Sequence, residues 1–312
     1  MSKLDKNNEY LKYIPEKFRI CLDKLSEYSL GNFNELSFIS GQAVTIKIRG
    51  KRSYLGKSGI TYDSQKAVIS GKNDLREIYN LITESSPYAY NRFVNEGFLT
   101  LKGGHRVGIT GNFVLNEGKI VGVNTINTLC FRISHHIKVD CSLIFEEIYD
   151  CKSIKNTIII SPPGCGKTTL LRNLIAYLTT KDSRYGIIKC ALIDERYEIA
   201  SCYEGEATMN VGNVTSVISG CNKENAIPIV VRSISPDIIA VDELASKEDI
   251  LAVKYAQASG CSVIATTHGY DEENNKLTYY NYKDMFDNII ILSARNGPGT
   301  IEKIIKGERI CL

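Results

Sequence analysis

Apolar positions in the first segment, YLKYIPEKFRICLDKLSEY, recur at steps of three and four through Leu11, Ile14, Phe18, Leu22 and Leu25. That spacing predicts an amphipathic helix with one face to bury. The period then shortens. In NELSFISGQAVTIKIRG, Val44, Ile46 and Ile48 alternate with polar neighbours, the pattern of a half-buried strand. Asp74 stands where it would cap a following helix through Ile78, Tyr79 and Ile82. From Phe98 the chain returns to strands: GGHRVGITGNFVLNEGKIVGV predicts a hairpin turning at residues 116–118, and LCFRIS a further strand.

The pattern changes after Ser142. SLIFEEIYD predicts a connecting helix, and beyond it short runs rich in Ile and Val alternate with helical stretches. Segments 157–160, 187–193, 237–241 and 261–266 have the composition of strands covered on both faces. Their alternation with helices predicts a mostly parallel sheet. The expected architecture is a smaller α+β domain over 1–144 followed by an α/β domain over 145–312. No repeat, low-complexity stretch or proline-rich linker separates them, which predicts close packing.

Composition narrows the function classes. The 312 residues, 43% of them hydrophobic, suffice for one large core or two ordinary ones. A net charge of +3 spread over this length lacks the basic stripe of a dedicated nucleic-acid binder, so no nucleic-acid partner is expected. Ten cysteines lie scattered without a C-x-x-C pair or a preceding signal peptide, the usage of reduced thiols in a cytoplasmic protein. No apolar run approaches the roughly 18 residues that span a bilayer. Membrane contact is therefore expected only through partners.

The chemistry begins at IIISPPGCGKTTLLRNLIAYL, which reads strand, loop, helix. Ser161, Pro162, Pro163, Gly164, Cys165, Gly166, Lys167, Thr168 and Thr169 form a phosphate-binding loop of the P-loop type. Successive backbone N–H groups and the start of a helix make an anion site. Lys167 would reach the β and γ phosphates of ATP, Thr168 would hold Mg²⁺, and Leu170, Leu171, Leu174, Ile175 and Leu178 would bury the helix. The pattern departs from G-x-x-x-x-G-K-[ST] at Ser161, where a glycine-type backbone would cost about 1 kcal/mol. The alternative is an ordinary glycine-rich turn.

A carboxylate at the end of a neighbouring strand completes such a site, and SPDIIAVDEL supplies Asp242 for the metal and Glu243 for the attacking water. The alternative, a pair of acids capping the next helix, is weakened because Ser246 and Asp249 already form an S-x-x-D cap. ALIDERYEI brings Asp194, Glu195, Arg196 and Glu198 to a third strand end, where solvated charge is the competing reading. SVIATTHG brings Thr266, Thr267 and His268 to a fourth. Ligands of such sheets bind at the carboxyl ends of the strands, so these termini carry more weight together than singly.

SPPGCGKTTLLRNL, LIDERYEIA, RSISPDIIAVDEL and ATTHG, in that order, resemble the stage III sporulation protein AA family. GGHRVGITGNFV, LCFRIS and NIIILSARNGPGT extend the resemblance over most of the chain. That family is similar to the ATPases of type II and type IV secretion systems, whose hexameric rings join an α+β domain to a RecA-like motor domain. The resemblance implies a metal role for Asp194 and a place near Mg²⁺ and the attacking water for Glu195. It also implies functional roles for Glu198 and His268, and contact with nucleotide or a neighbouring subunit for Arg232. Arg106 and Arg132 match arginines that approach the phosphates when the domains close, and Arg295 matches one near the nucleotide pocket. An ordinary ion pair is the alternative for each arginine. Where secretion ATPases have Gly-Glu this chain has Asp242-Glu243, which suggests a fuller Mg²⁺ site.

The resemblance further implies a cytoplasmic ATPase of the mother cell, a homo-hexamer working on a membrane-embedded secretion-like complex during spore formation. A nucleic-acid translocase and an ATP-dependent switch or scaffold with little turnover are the competing functions.

Overall fold

Pro15 divides the first amphipathic stripe in the computed structural model of the chain, which describes residues 9–84, 97–135, 137–150, 153–180, 186–203, 205–269 and 282–306. A proline cannot donate within a helix interior, so a 3₁₀ turn (Glu9–Tyr13) precedes it and α1 (Glu16–Leu22) begins after it. The single helix expected from the periodicity is corrected to these two pieces. Its stripe is nevertheless buried: Leu11, Ile14, Phe18, Leu22 and Leu25 all belong to the first core. A short α2 (Glu27–Gly31) follows, opened by the Ser26 side chain accepting the Ser29 N–H at 3.1 Å.

The chain forms two compact units, 1–135 and 136–312. In the first, β1 (Phe33–Ile39), β2 (Thr45–Ile48), β3 (Lys51–Gly56), β4 (Gly59–Thr61), β5 (Phe98–Leu101), β6 (His105–Asn116) and β7 (Lys119–Arg132) make one antiparallel sheet in the order β4-β3-β2-β1-β7-β6-β5. Glu117 and Gly118, with φ of 50° and 75°, turn the β6–β7 hairpin where the sequence predicted it. LCFR is no separate strand; it is the far end of β7, whose Leu129 and Phe131 stay in phase with the core. α3 (Lys72–Ile82) buries Leu75, Ile78 and Ile82. Asp74 sits inside its first turn rather than at the cap, and its Oδ2 accepts the Gly71 N–H at 2.7 Å.

The second unit starts before the composition change near 145. The reason is α4 (Ser142–Ile148), whose Ile144, Phe145 and Ile148 are part of the second unit's core. Its sheet contains β8 (Thr157–Ser161), β9 (Cys190–Asp194), β10 (Thr215–Ser219), β11 (Ile238–Val241), β12 (Ser262–His268), β13 (Asn288–Ser293) and β14 (Thr300–Lys306), ordered β10-β9-β11-β12-β8-β13-β14. All pairs are parallel except β13–β14. β9 begins later than the apolar run suggested, and Ile187 at its predicted start is 82% exposed.

Successive strand residues serve opposite faces. Ile159, Leu192, Ala240 and Ile264 join α4 and α5 (Lys167–Thr180) on one side. Ile158, Ile160, Ile193, Ile239 and Val241 join α6 (Lys223–Ile234) and α7 (Lys247–Ala258) on the other. Double burial explains the unbroken Ile/Val runs. Parallel register (Ser161 beside His268, Val241 beside Ile193 and Ala265) delivers the strand ends to one edge. No helix among the described residues is long and apolar enough to cross a membrane.

Candidate functional site

The edge of the second sheet gathers the glycine-containing loop after β8 and the acidic strand ends. β8 ends at Ser161 and α5 starts at Lys167, so residues 162–166 make the whole connection. Gly166 is required twice over: its φ is +89°, and a Cβ there would lie 3.2 Å from the Gly299 nitrogen. That approach comes from the β13–β14 turn, where the Gly299 N–H donates to the Cys165 carbonyl at 2.8 Å. Arg295 lies in the same turn, exposed and 3.7 Å from Glu302.

Ser161 does not adopt a glycine conformation, which corrects the expected penalty. It is the buried last residue of β8 with no positive φ, and its Oγ donates to the Pro162 carbonyl at 2.9 Å. Lys167 is 7% exposed. Its Nζ donates to the Ser161 carbonyl at 3.2 Å and the Pro162 carbonyl at 3.4 Å, and lies 3.0 Å from His268 Nδ1. Burial pulls its amine below the ordinary lysine range, opposed by the charge of Asp242.

Thr168 Oγ1 donates to Asp242 Oδ2 at 2.9 Å. Asp242 Oδ1 accepts from the buried Thr266 hydroxyl, which itself accepts the Glu243 N–H at 2.9 Å. Glu243 turns the chain out of β11 with φ of +55°, an uncommon conformation for a side chain of this size. Its Oε2 accepts from Arg196 Nη1 at 2.5 Å and its Oε1 is 3.3 Å from His268 Nε2. Ser246 and Asp249 form the reciprocal cap of α7, so Asp242 and Glu243 are not the cap.

The acidic segment after β9 divides its work differently from the sequence reading. Asp194 is 2% exposed, and its two oxygens accept the backbone N–H groups of Glu198, Ile199, Ala200 and Ser201. A carboxylate so used organises its own loop, a use other than the metal role expected for it. Glu195 pairs with Lys223 Nζ at 2.7 Å, an amine 7% exposed at the start of α6. Glu198, half-buried, follows on the loop that Asp194 holds. Arg232 lies exposed in the last turn of α6, its Nε donating to the Pro228 carbonyl of its own helix at 3.0 Å. Arg106 and Arg132 face each other across β6 and β7 in the first unit, with the Arg106 guanidinium 4.6 Å above the Phe98 ring.

Sequence reasoning missed Arg172. From α5 it donates to the carbonyls of Ile199 and Glu198, both at 2.6 Å, tying α5 to the loop after β9. The available signal was a lone cation among Leu170, Leu171, Leu174 and Ile175. Arg196 was noticed only as a strand-end charge; its partner Glu243 follows from sheet register, which no local pattern reveals. The eight cysteines among the described residues form no disulfide.

Comparison with known proteins adds the lineage. The chain is 29% identical over 301 residues to stage III sporulation protein AA of Bacillus subtilis (strain 168), covering 95% of this chain and 94% of that one. Among solved structures it is similar to the Legionella pneumophila ATPase DotB, with TM-score 0.57, 17% identity, and 89% of this chain and 77% of that one covered. It is also similar to the pilus retraction motor PilT solved with ADP, with TM-score 0.53, 15% identity, and coverage of 85% and 75%. At such identities the likeness concerns the fold, and the parallel sheet of the second unit is RecA-like. The family model described as sporulation stage III, protein AA matches residues 4–310, and the chain belongs to that family.

Proposed function

We propose that this chain is a Mg²⁺-dependent ATPase that drives a secretion-like membrane complex during endospore formation. The observation that carries the reading is the Thr168–Asp242 hydrogen bond of 2.9 Å beside the phosphate loop. A hydroxyl at the start of the loop's helix and a carboxylate at the end of a neighbouring strand are the two oxygen donors that such sites use for Mg²⁺. The donor set therefore fits the ion, with Thr168 and Asp242 as its holders. Bound Mg²⁺ would supply neutralisation of phosphate charge.

The remaining roles fall to the chain's own groups. Backbone N–H groups of residues 164–168 would receive phosphate oxygens, with Lys167 turning from the Ser161 and Pro162 carbonyls toward them. Glu243 would orient the attacking water, His268 would contact the γ phosphate, and Glu195 would position groups around them. Arg232 and Arg295, both exposed, would act from their surfaces on nucleotide or on a neighbouring subunit, and Arg106 and Arg132 from the amino-terminal domain (1–144). We place the protein in the mother-cell cytoplasm as a homo-hexameric ring that meets the membrane through partner proteins.

Equilibrium binding of ATP tests the site before any turnover is asked of it. The wild type should bind ATP more tightly with Mg²⁺ than with EDTA, and Thr168→Ala and Asp242→Asn should each remove most of that difference. Binding indifferent to Mg²⁺ in all three proteins would exclude the proposed metal holders.

A further inference from the structure

The inner face of the first sheet runs on past its helical cover. Ile46 and Leu55 are fully buried. Pairing Ile46–Ser53, Ile48–Lys51 and Leu55–Ile60 puts their neighbours on the same face. Beyond α2 that face emerges into solvent as a groove of about 310 Å³. Its lining includes Tyr28 from α2, 61% exposed, Tyr62 after β4, 80% exposed, and Ile60, 38% exposed. Large apolar groups this exposed are gathered here rather than scattered.

The rim is basic. Arg49 lies with its guanidinium 5.0 Å from the Tyr28 ring centre, and its Nε donates to Asn32 Oδ1 at 2.7 Å. The residue holds a left-handed backbone, φ 46°, anchored by its N–H on Asn34 Oδ1. Lys51 stands exposed on the same rim. Among the described residues no carboxylate lines the groove. Asp63, next to Tyr62, is paired with Lys66 at 3.6 Å, and Glu35 answers Arg52 at 2.6 Å on another strand. The cations of the rim thus lack a carboxylate within the groove itself.

We propose that this groove docks an acidic segment of a partner protein, inserting an apolar side chain between Tyr28 and Tyr62 and setting carboxylates against Arg49 and Lys51. Aromatic walls give rigid apolar contact at low entropic cost, and a basic rim selects the charge of what flanks the anchor. A concave slot of this volume suits a peptide side chain rather than a flat lipid surface. The proposal is independent of ATP hydrolysis.

The test uses the full-length protein and a fluorescein-labelled peptide of alternating Glu and Leu, with its Gln-for-Glu counterpart, oligothymidylate and phosphatidylglycerol vesicles as the other probes. The acidic peptide should bind, weaken as salt rises, and lose about tenfold in affinity with Lys51→Glu and with Tyr62→Ala. Both side chains are at the surface, so the variants should keep the wild-type Tm and ATP affinity. Binding no tighter than that of the Gln peptide, or undiminished in both variants, would overturn the proposal. So would variants that alter only vesicle binding, oligothymidylate binding or self-association.

Discussion

Arg196 Nη1 lies 2.5 Å from Glu243 Oε2, so the carboxylate proposed to orient water is held in an ion pair by the loop after β9. His268 stands at its other oxygen, 3.3 Å away. In this arrangement both oxygens are engaged, and Glu243 must leave Arg196 to serve as a base. The Arg196 side chain is 63% exposed, so the pair is worth at most about 1 kcal/mol. Arg196→Gln is therefore expected to raise basal ATP turnover about two- to fivefold with KM little changed. A fall in kcat instead would assign Arg196 to holding Glu243 in its working position.

Lys167 gives a stability prediction with a definite pH sense. Its buried amine has a folded pKa below its ordinary value of 10.5 because of desolvation. Below that folded pKa both states carry the charge and the folded chain bears the full desolvation cost. The cost fades as pH rises through the folded value toward 10.5. Lys167→Met should abolish ATP binding yet raise stability by about 1 kcal/mol near neutral pH. Thermal unfolding of both proteins should show the gap narrowing in alkaline buffer. A gap that widens there would contradict the assignment.

Asp194 is predicted to be structural. Asn at this position would set an NH₂ group against N–H donors that now meet a carboxylate, costing about 3 kcal/mol. Urea unfolding measures the loss, and hydrogen exchange should quicken at Glu198 to Ser201. Unchanged stability with loss of Mg²⁺-dependent binding would return Asp194 to the metal.

Much of this was legible in the chain, for reasons that differ by element. The step from β8 through residues 162–166 into α5 is a local feature: glycines, a lysine and an apolar stripe in one short run. The caps of α7 and the turn at Glu117–Gly118 are equally local. The split at Pro15 was misread although its signal is local: the residue's missing N–H outweighs the apolar stripe that predicted one helix. What the sequence hid depends on neighbours distant along the chain. Arg196 meets Glu243, Arg172 meets Ile199, and Gly299 meets Cys165 only after the sheet has ordered its strands. β10 escaped notice because a half-exposed edge strand has no strong apolar run, and Asp194 looked like a ligand because its four N–H partners are backbone.

Ser161 tests one of these corrections directly. Because its backbone is that of an ordinary strand residue, Ser161→Gly relieves nothing. The variant should lose about 0.5–1 kcal/mol through added unfolded-state freedom. Calorimetry should find that loss, with ATP affinity unchanged. A gain in stability would mean that Ser161 is strained after all.

Phosphate release from purified protein with Mg-ATP, wild type against Glu243→Gln, tests the central claim most directly. The substitution keeps the shape of the side chain and removes the charge proposed to orient water. The account predicts turnover by the wild type, and a variant that binds ATP with similar affinity while losing at least about a hundredfold in kcat. Equal turnover in both proteins would remove Glu243 from the chemistry. Wild-type binding without any phosphate release would replace the motor with an ATP-dependent switch.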